Sequence, residues 1–436
     1  MIRLILAAAL AVVFTLPARA VDIQEVTSPG GINAWLVEEP SIPFTALEIR
    51  FIGGATLDRP GKRGALNLMT GLLEEGAGDL SSSEFAARTE SLAARYGFSI
   101  SRDSLSISAR FLSENRDEAV DLLRLALNKP RFDQVAVDRV RAQILSSLAS
   151  DKTDPNAIAA TTFFDQAFGE HPYGSKLDGT MESVTALTRD DVVTAYTDIM
   201  ALDRIYVGAV GDITAAELGE LLDTLLGDLP ATGAPLPERA EYLLEGGETV
   251  VPFETPQSVA IFGHAGITRD DPDFFAAYVM NQVLGAGGFG SRLMEEVREK
   301  RGLTYGVYSY LAPMDKAELV MGQVASANGR IAEAIAVIRA EWDRLASEGI
   351  TQEELDDAKT YLTGAYPLRF DGNATIAGIL VGMQMDGLPT SYIDTRNAKV
   401  EAVSLDDVRR VAARVLQPEE LHFVIVGNPE GLPASN

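Results

Sequence analysis

Arg298 and Tyr305 lie seven positions apart near the end of GAGGFGSRLMEEVREKRGLTYGVYSY, residues 285–310. Both side chains donate hydrogen bonds, and the first is permanently cationic. The stretch opens on glycines, and Gly285, Gly287 and Gly290 formally satisfy GxGxxG. A dinucleotide cradle must follow a strand and open a helix, so that the helix N-terminus meets the pyrophosphate. Here the glycines follow DDPDFFAAYVMNQVL, where Asp271 reads as an N-cap, Pro272 as the first helical residue, and Phe275, Val279 and Val283 share a face. They end one helix and precede another, which excludes nucleotide binding of that kind. The next helix, SRLMEEVREKRG, is expected to be capped by Ser291 and stopped by a left-handed Gly302. Its Glu295 and Glu296 precede basic residues by about one turn. LTYGVYSYL then alternates as a strand with Tyr305, Val307 and Ser309 on one face, so a hairpin-like return could join the tips of Arg298 and Tyr305. On residue type alone, Arg298 also reads as a surface helix residue and Tyr305 as core packing.

Metal chemistry finds little support. The chain has no cysteine and only three histidines, His171, His264 and His422, none close to another in sequence. His171, in EHPYG, reads as a turn residue; His264 and His422 fall in predicted strands and read as structural. No EF-hand spacing occurs, and a carboxylate-only site stays open.

The elements that must position these residues come in two sets. VTALTRDDVVTAYTDIMALDRIYVGAVG from Val184 aligns without gaps on VEAVSLDDVRRVAARVLQPEELHFVIVG from Val400, a constant offset of 216. Each copy reads as a capped amphipathic helix, a turn and a buried strand ending on glycine. The first half has predicted strands at NAWLVEE, TALEIRFIGG and SLSISARFL, a helix from about 64 to 75, and helices at NRDEAVDLLRLALN and VAVDRVRAQILSSLAS. The second half has strands at QSVAIFGHAGI and AELVMGQVAS, a helix over about 272–284, and helices starting near Gly329 and Thr351. The fold class is therefore α+β: two homologous domains, each a mixed or antiparallel sheet with packed helices, related by internal duplication. Residues 21–228 form the first, 229–247 a Pro- and Gly-rich linker, and 248–436 the second. The first twenty residues, MIRLILAAALAVVFTLPARA, have the basic start, apolar run and small-residue end of a signal peptide cleaved after Ala20, which places the protein in the periplasm with no membrane span after cleavage. A net charge of -26, from 37 basic and 63 acidic side chains, argues against nucleic acid as a partner.

GGFGSRLMEEVREKRGLTYGVYS closely resembles the C-terminal motif of the pitrilysin/insulinase-type metallopeptidases, which include the mitochondrial processing peptidase. GGATLDRPGKRGALNLMTGLLEEGAG, FGEHPYGSKLDGT and both L-x-x-D-D-V copies extend the resemblance over essentially the whole mature chain. It implies that Arg298 and Tyr305 grip the carbonyl beside a scissile bond. It also implies that Gly285, Gly287, Gly288 and Gly290 form a short glycine-rich loop past which an extended peptide can run. Active relatives carry HxxEH on a first-domain helix and a further glutamate on a later one. Alignment puts those places at Asn67, Thr70, Gly71 and Ser147, so the zinc set is lost. The resemblance then implies a metal-free subunit whose HxxEH-bearing homologous partner holds zinc, with no cofactor in this chain and a peptide as substrate. A non-enzymatic peptide-binding or scaffold protein of the same fold is the alternative. A self-sufficient peptidase with an unrelated metal site is a third reading.

Overall fold

The computed structural model describes residues 22–432; the expected leader lies outside them. Alternation sets the strands. In Phe44–Ile52 the side chains of Leu47, Ile49 and Phe51 turn inward, and in Ser104–Leu112 those of Leu105, Ile107 and Phe111 do so. In chain order the first half supplies β1 (Gln24–Thr27), β2 (Asn33–Glu38), β3 (Phe44–Ile52), the small hairpin β4 (Gly76–Ala77) and β5 (Leu80–Ser81), β6 (Arg95–Ile100), β7 (Ser104–Leu112) and β8 (Ile205–Gly211). The second supplies β9 (Gly247–Pro252), β10 (Gln257–Ala265), β11 (Val307–Pro313), β12 (Glu318–Ala327) and β13 (His422–Gly427). The large sheets run β1-β2-β8-β3-β7-β6 and β11-β12-β10-β13-β9. Only β2–β8 and β9–β13 pair in parallel. Read as β2-β8-β3-β7-β6 and β9-β13-β10-β12-β11, the two sheets match strand for strand.

The repeat behaves alike in both halves. Thr188 with Asp191 and Ser404 with Asp407 form capping boxes on helices Arg189–Ile199 and Leu405–Val415. Each strand that follows ends on a glycine of positive φ: Gly211 at 139° and Gly427 at 153°. A Cβ on Gly211 would sit 2.2 Å from the Phe44 carbonyl oxygen, and one on Gly427 2.3 Å from Ser258 Oγ. Only glycine closes these strands.

Each half covers one face of its sheet with its own helices and lends one helix to the other half. Helix Pro155–Phe168, begun by Asp154 accepting from the Asn156 N–H and by Pro155 in its first turn, lies on the second sheet. There Phe163 and Phe168 pack with Ile261, Leu319, Met321 and Val424. Helix Asn373–Met385 returns the contact, and its Ala377 and Leu380 pack on Val210 of β8. Strand β13 is consequently buried at every position, and β8 from Val207 onward.

Several boundaries depart from expectation. The helix predicted over 64–75 is α-helical only at Ala65–Thr70; beyond it, N–H groups of Leu72, Leu73 and Glu75 reach back three residues and tighten the chain into turns. The 272–284 helix begins at Phe274, because the Asp271 carboxylate accepts from the Asp273 N–H (2.8 Å) and makes a turn in place of a cap. It ends in a π turn over Gln282–Ala286.

His264 is fully buried on β10. Its Nδ1 lies 2.7 Å from the Ala265 carbonyl oxygen, and its Nε2 accepts from Trp342 Nε1–H at 2.9 Å. Burial holds the imidazole down from its ordinary 6.5 to about 4. The unfolded chain therefore takes up this proton first. The stabilisation is complete above pH 6.5 and is lost as pH falls towards 4, roughly 3 kcal/mol in all. Urea unfolding at pH 7 and pH 4.5 should show His264→Gln with a smaller stability difference between the two pH values than wild type. Phe163→Ala, although in the first half, should cost about 3–5 kcal/mol by emptying the core of the second sheet.

Candidate functional site

The Arg298–Tyr305 region is built on two helical segments and an edge strand. After the π turn, Gly288–Gly290 form a 3-10 turn, and Ser291 Oγ donates to the Gly288 carbonyl at 2.8 Å. Ser291 is thus a loop staple and not the side-chain cap expected from sequence. Arg292, 8% exposed, anchors the start of the next helical segment: its Nε and Nη2 reach both carboxylate oxygens of Glu354 at 2.6 and 2.7 Å. Over Met294–Glu299 the backbone winds as a π helix. Lys300 and Arg301 both close on the buried Glu296 at 2.6 Å, as the charge spacing predicts. Gly302 stops the segment at φ 60°, with its N–H on the Arg298 carbonyl.

Arg298 stays out of that cluster. It pairs with Glu299 at 2.8 Å, and its guanidinium carbon lies 4.6 Å from the centroid of the Phe289 ring. Phe289 is 71% exposed and was missed in the sequence reading, although an aromatic residue inside a glycine run has no core to explain it. Tyr305 is 89% exposed, which corrects both its assignment to β11 and the core-packing reading. The Gly306 N–H donates to Thr304 Oγ1 at 3.0 Å, and this turn ejects Tyr305 just before the strand starts at Val307. Beyond it Val307 and Ser309 point inward, while Tyr308 and Tyr310 face outward and stack at 6.2 Å. Arg298 and Tyr305 flank one turn, but among the described residues no hydrogen bond joins their tips.

The four glycines divide by role. A Cβ on Gly285 would lie 2.3 Å from Ser309 Oγ, and one on Gly287 2.6 Å from the Gln282 carbonyl oxygen. Those two let the π turn pack. Gly288, at φ 57°, and Gly290 face open space.

The positions aligned with the zinc set of active relatives hold other interactions. Asn67 Nδ2 donates to Asp178 Oδ1 at 3.0 Å, and Thr70 Oγ1 donates to the Leu66 carbonyl at 2.7 Å. Gly71 abuts the next helix: a Cβ there would stand 3.0 Å from Val140 Cγ1. Ser147, two turns beyond Val140 on helix Gln134–Asp151, is exposed. An amide, two hydroxyls and a glycine do not fit zinc, which needs imidazole, thiolate or carboxylate donors. The histidines do not replace them. His171 Nδ1 accepts from the Tyr173 N–H at 3.1 Å, His264 is committed to Trp342, and His422 lies between the Glu245 carbonyl and Thr249 Oγ1. Among the described residues no group of three His, Cys, Asp or Glu side chains is arranged to hold a metal. Asp58, which sequence did not single out, starts the first helix by accepting from the Gly64 and Leu66 N–H groups. Burial lifts its carboxyl to about 6.

The chain is similar to known proteins over most of its length. Residues 34–181 match the family profile "Insulinase (Peptidase family M16)", and residues 186–362 match "Peptidase M16 inactive domain". "Non-peptidase homolog YmxG" of Helicobacter pylori is 28% identical, with 96% of this chain and 97% of that protein covered. "Uncharacterized zinc protease SCO5738" of Streptomyces coelicolor is 26% identical, over 90% and 87%. Among solved structures, the peptidase M16 inactive domain from Pseudomonas fluorescens superposes with a TM-score of 0.88 at 28% identity, covering 95% of this chain and 99% of that one. A protease from Helicobacter pylori has the same fold, with a TM-score of 0.85 at 17% identity over 93% and 100%.

Restoring only the helix motif should not restore zinc. Asn67→His, Thr70→Glu and Gly71→His together should leave elemental analysis at the wild-type metal level, because Ser147 offers no carboxylate. The new side chain at 71 should also press on Val140 and cost about 1–3 kcal/mol.

Proposed function

Because this chain belongs to peptidase family M16 and carries none of that family's zinc donors, we propose that it is the metal-free subunit of a two-chain periplasmic peptidase, holding the substrate while an HxxEH-bearing homologue cuts it. The partner's zinc would supply the attacking hydroxide. This chain's part is the grip. The Arg298 guanidinium and the Tyr305 hydroxyl donate to the substrate carbonyl oxygen as negative charge develops on it. The observation that carries the reading is the state of that pair. Tyr305 projects into solvent from a turn fixed by Thr304, and Arg298 is propped over Phe289 while its basic neighbours are spent on Glu296. Neither residue serves the core, which leaves both donor groups accessible to a ligand.

The surroundings suit an extended peptide. Gly288 and Gly290 leave open space at the loop, and β11 is an edge strand whose outward Tyr308 and Tyr310 offer aromatic surface. The same surface serves a second reading, a peptide-binding protein without any hydrolytic partner. The Helicobacter pylori relative called a non-peptidase homolog favours keeping that reading in view.

The test mixes the chain with an HxxEH-bearing homologue from the same organism and follows cleavage of a peptide library. Arg298→Ala and Tyr305→Phe should each lower kcat/KM by about 10²–10³-fold, equivalent to about 2.7–4 kcal/mol. Phe289→Ala removes only the support under the guanidinium and should cost a few-fold, about 0.5–1 kcal/mol. Unchanged kcat/KM in the first two variants defeats the assigned role. Saturable peptide binding with no cleavage in any mixture selects the second reading.

A further inference from the structure

The duplication produces a second pair of equivalent features away from the Arg298–Tyr305 loop. Each half has a cavity between the helix it lends and the rest of its own fold. The first, about 670 Å³, is lined by Thr162, Lys176 and Thr180, and the second, about 450 Å³, by Gly378, Tyr392 and Arg396. Those residues correspond one to one at the offset that relates Val184 to Val400. The two cavities are the same place in the fold with different linings.

The charges differ most. The first cavity balances Asp151, Asp165 and Glu170 against Arg63, Lys152 and Lys176. The second holds Arg269, Arg369 and Arg396 against the single carboxylate of Asp386, in a chain of net charge -26. Asp386 is taken by Arg269 at 3.3 Å. Arg396 is 4% exposed, yet its Nη1 donates only to neutral oxygens, those of Leu362 and Asn397, and its guanidinium lies 4.6 Å from the Tyr366 ring centroid. Among the described residues no carboxylate pairs with Arg396 or with the exposed Arg369. A buried cation without a counter-charge is costly to maintain, and an incoming anion removes that cost.

The walls specify the rest of the ligand. Phe274, Phe275, Tyr278, Tyr366 and Tyr392 supply five rings around the space. A Cβ on Gly382 would meet nothing within 4 Å, so the floor is left open by a missing side chain. The volume is that of an ordinary small-molecule site. Phe274, Phe275 and Tyr278 stand seven to eleven residues before Gly285 on helix Phe274–Asn281 and its π turn, on the order of 10–16 Å along the axis, and the lining contains no residue of the glycine loop, so this cavity is separate from it. We propose that the cavity of the second half binds a small aromatic carboxylate, its ring against the aromatic walls and its charge against Arg369 and Arg396.

Isothermal titration of the purified chain tests this with three probes: N-acetyl-L-phenylalanine, its uncharged amide, and N-acetylglycine, which lacks the ring. The first should bind saturably at one site. The other two should bind at least about tenfold more weakly, since each forfeits a charge-assisted contact or the ring burial. Gly382→Leu fills the space and should abolish binding with an unchanged thermal midpoint. Arg369→Gln, at an exposed residue with no ion pair to lose, should weaken binding several-fold. Equal affinity for acid and amide, equal affinity for N-acetylglycine, binding that survives Gly382→Leu, or no saturable binding of the acid overturns the proposal.

Discussion

Two helices hold the molecule together by being exchanged. Strand β13 and most of β8 are buried on both faces, and neither half can supply that cover alone. Phe163 and Phe168 of the first half fill the outer core of the second sheet, and Ala377 and Leu380 of the second rest on the first. Hydrophobic burial on this scale is the dominant favourable term in folding. Without cysteines, the chain rests on these reciprocal cores rather than on disulfides. Where the halves meet, Tyr173 of the EHPYG turn acts as a keystone. Wholly buried, it donates to Asp103 at 2.5 Å and accepts from the Lys316 N–H at 2.9 Å. Burial and the neighbouring Asp103 together raise the Asp315 carboxyl to about 6 at this seam.

The positions that align with the zinc set of active relatives are taken up by packing and hydrogen bonds. Asn67 is recruited to hold Asp178, Thr70 bonds its own helix, and Gly71 allows Val140 to approach where a liganding side chain would stand. The Arg298–Tyr305 turn shows the opposite economy. Arg292, Lys300 and Arg301 are all committed to carboxylates that fix the segment, leaving Tyr305 and the Phe289-backed Arg298 outside the packing.

Much of the fold could be read from local pattern. Alternation placed β3, β7, β10 and β12 within a residue or two, and Thr188 and Ser404 announced their helices through capping boxes with acids three residues on. The glycines ending β8 and β13 repeat because the same close contact recurs in each half. Local rules failed where side chains bond locally in competing ways. Asp271 made a turn instead of a cap, Ser291 donated to a carbonyl instead of accepting from a helix, and Thr304 bent the chain so that Tyr305 left the strand.

What the sequence determined by itself is the inventory and its periodicity: three scattered histidines, no cysteine, a duplicated helix–strand unit, and an arginine and tyrosine seven positions apart. Donor chemistry and repeat spacing are properties of residue type and order, so they need no coordinates. Only the tertiary structure decided that the halves exchange helices, that Val140 closes on Gly71, that Phe289 backs Arg298, and that unpaired arginines and aromatic rings surround one cavity. Those facts depend on contacts between residues far apart in the chain, and no local periodicity records which distant surfaces will meet.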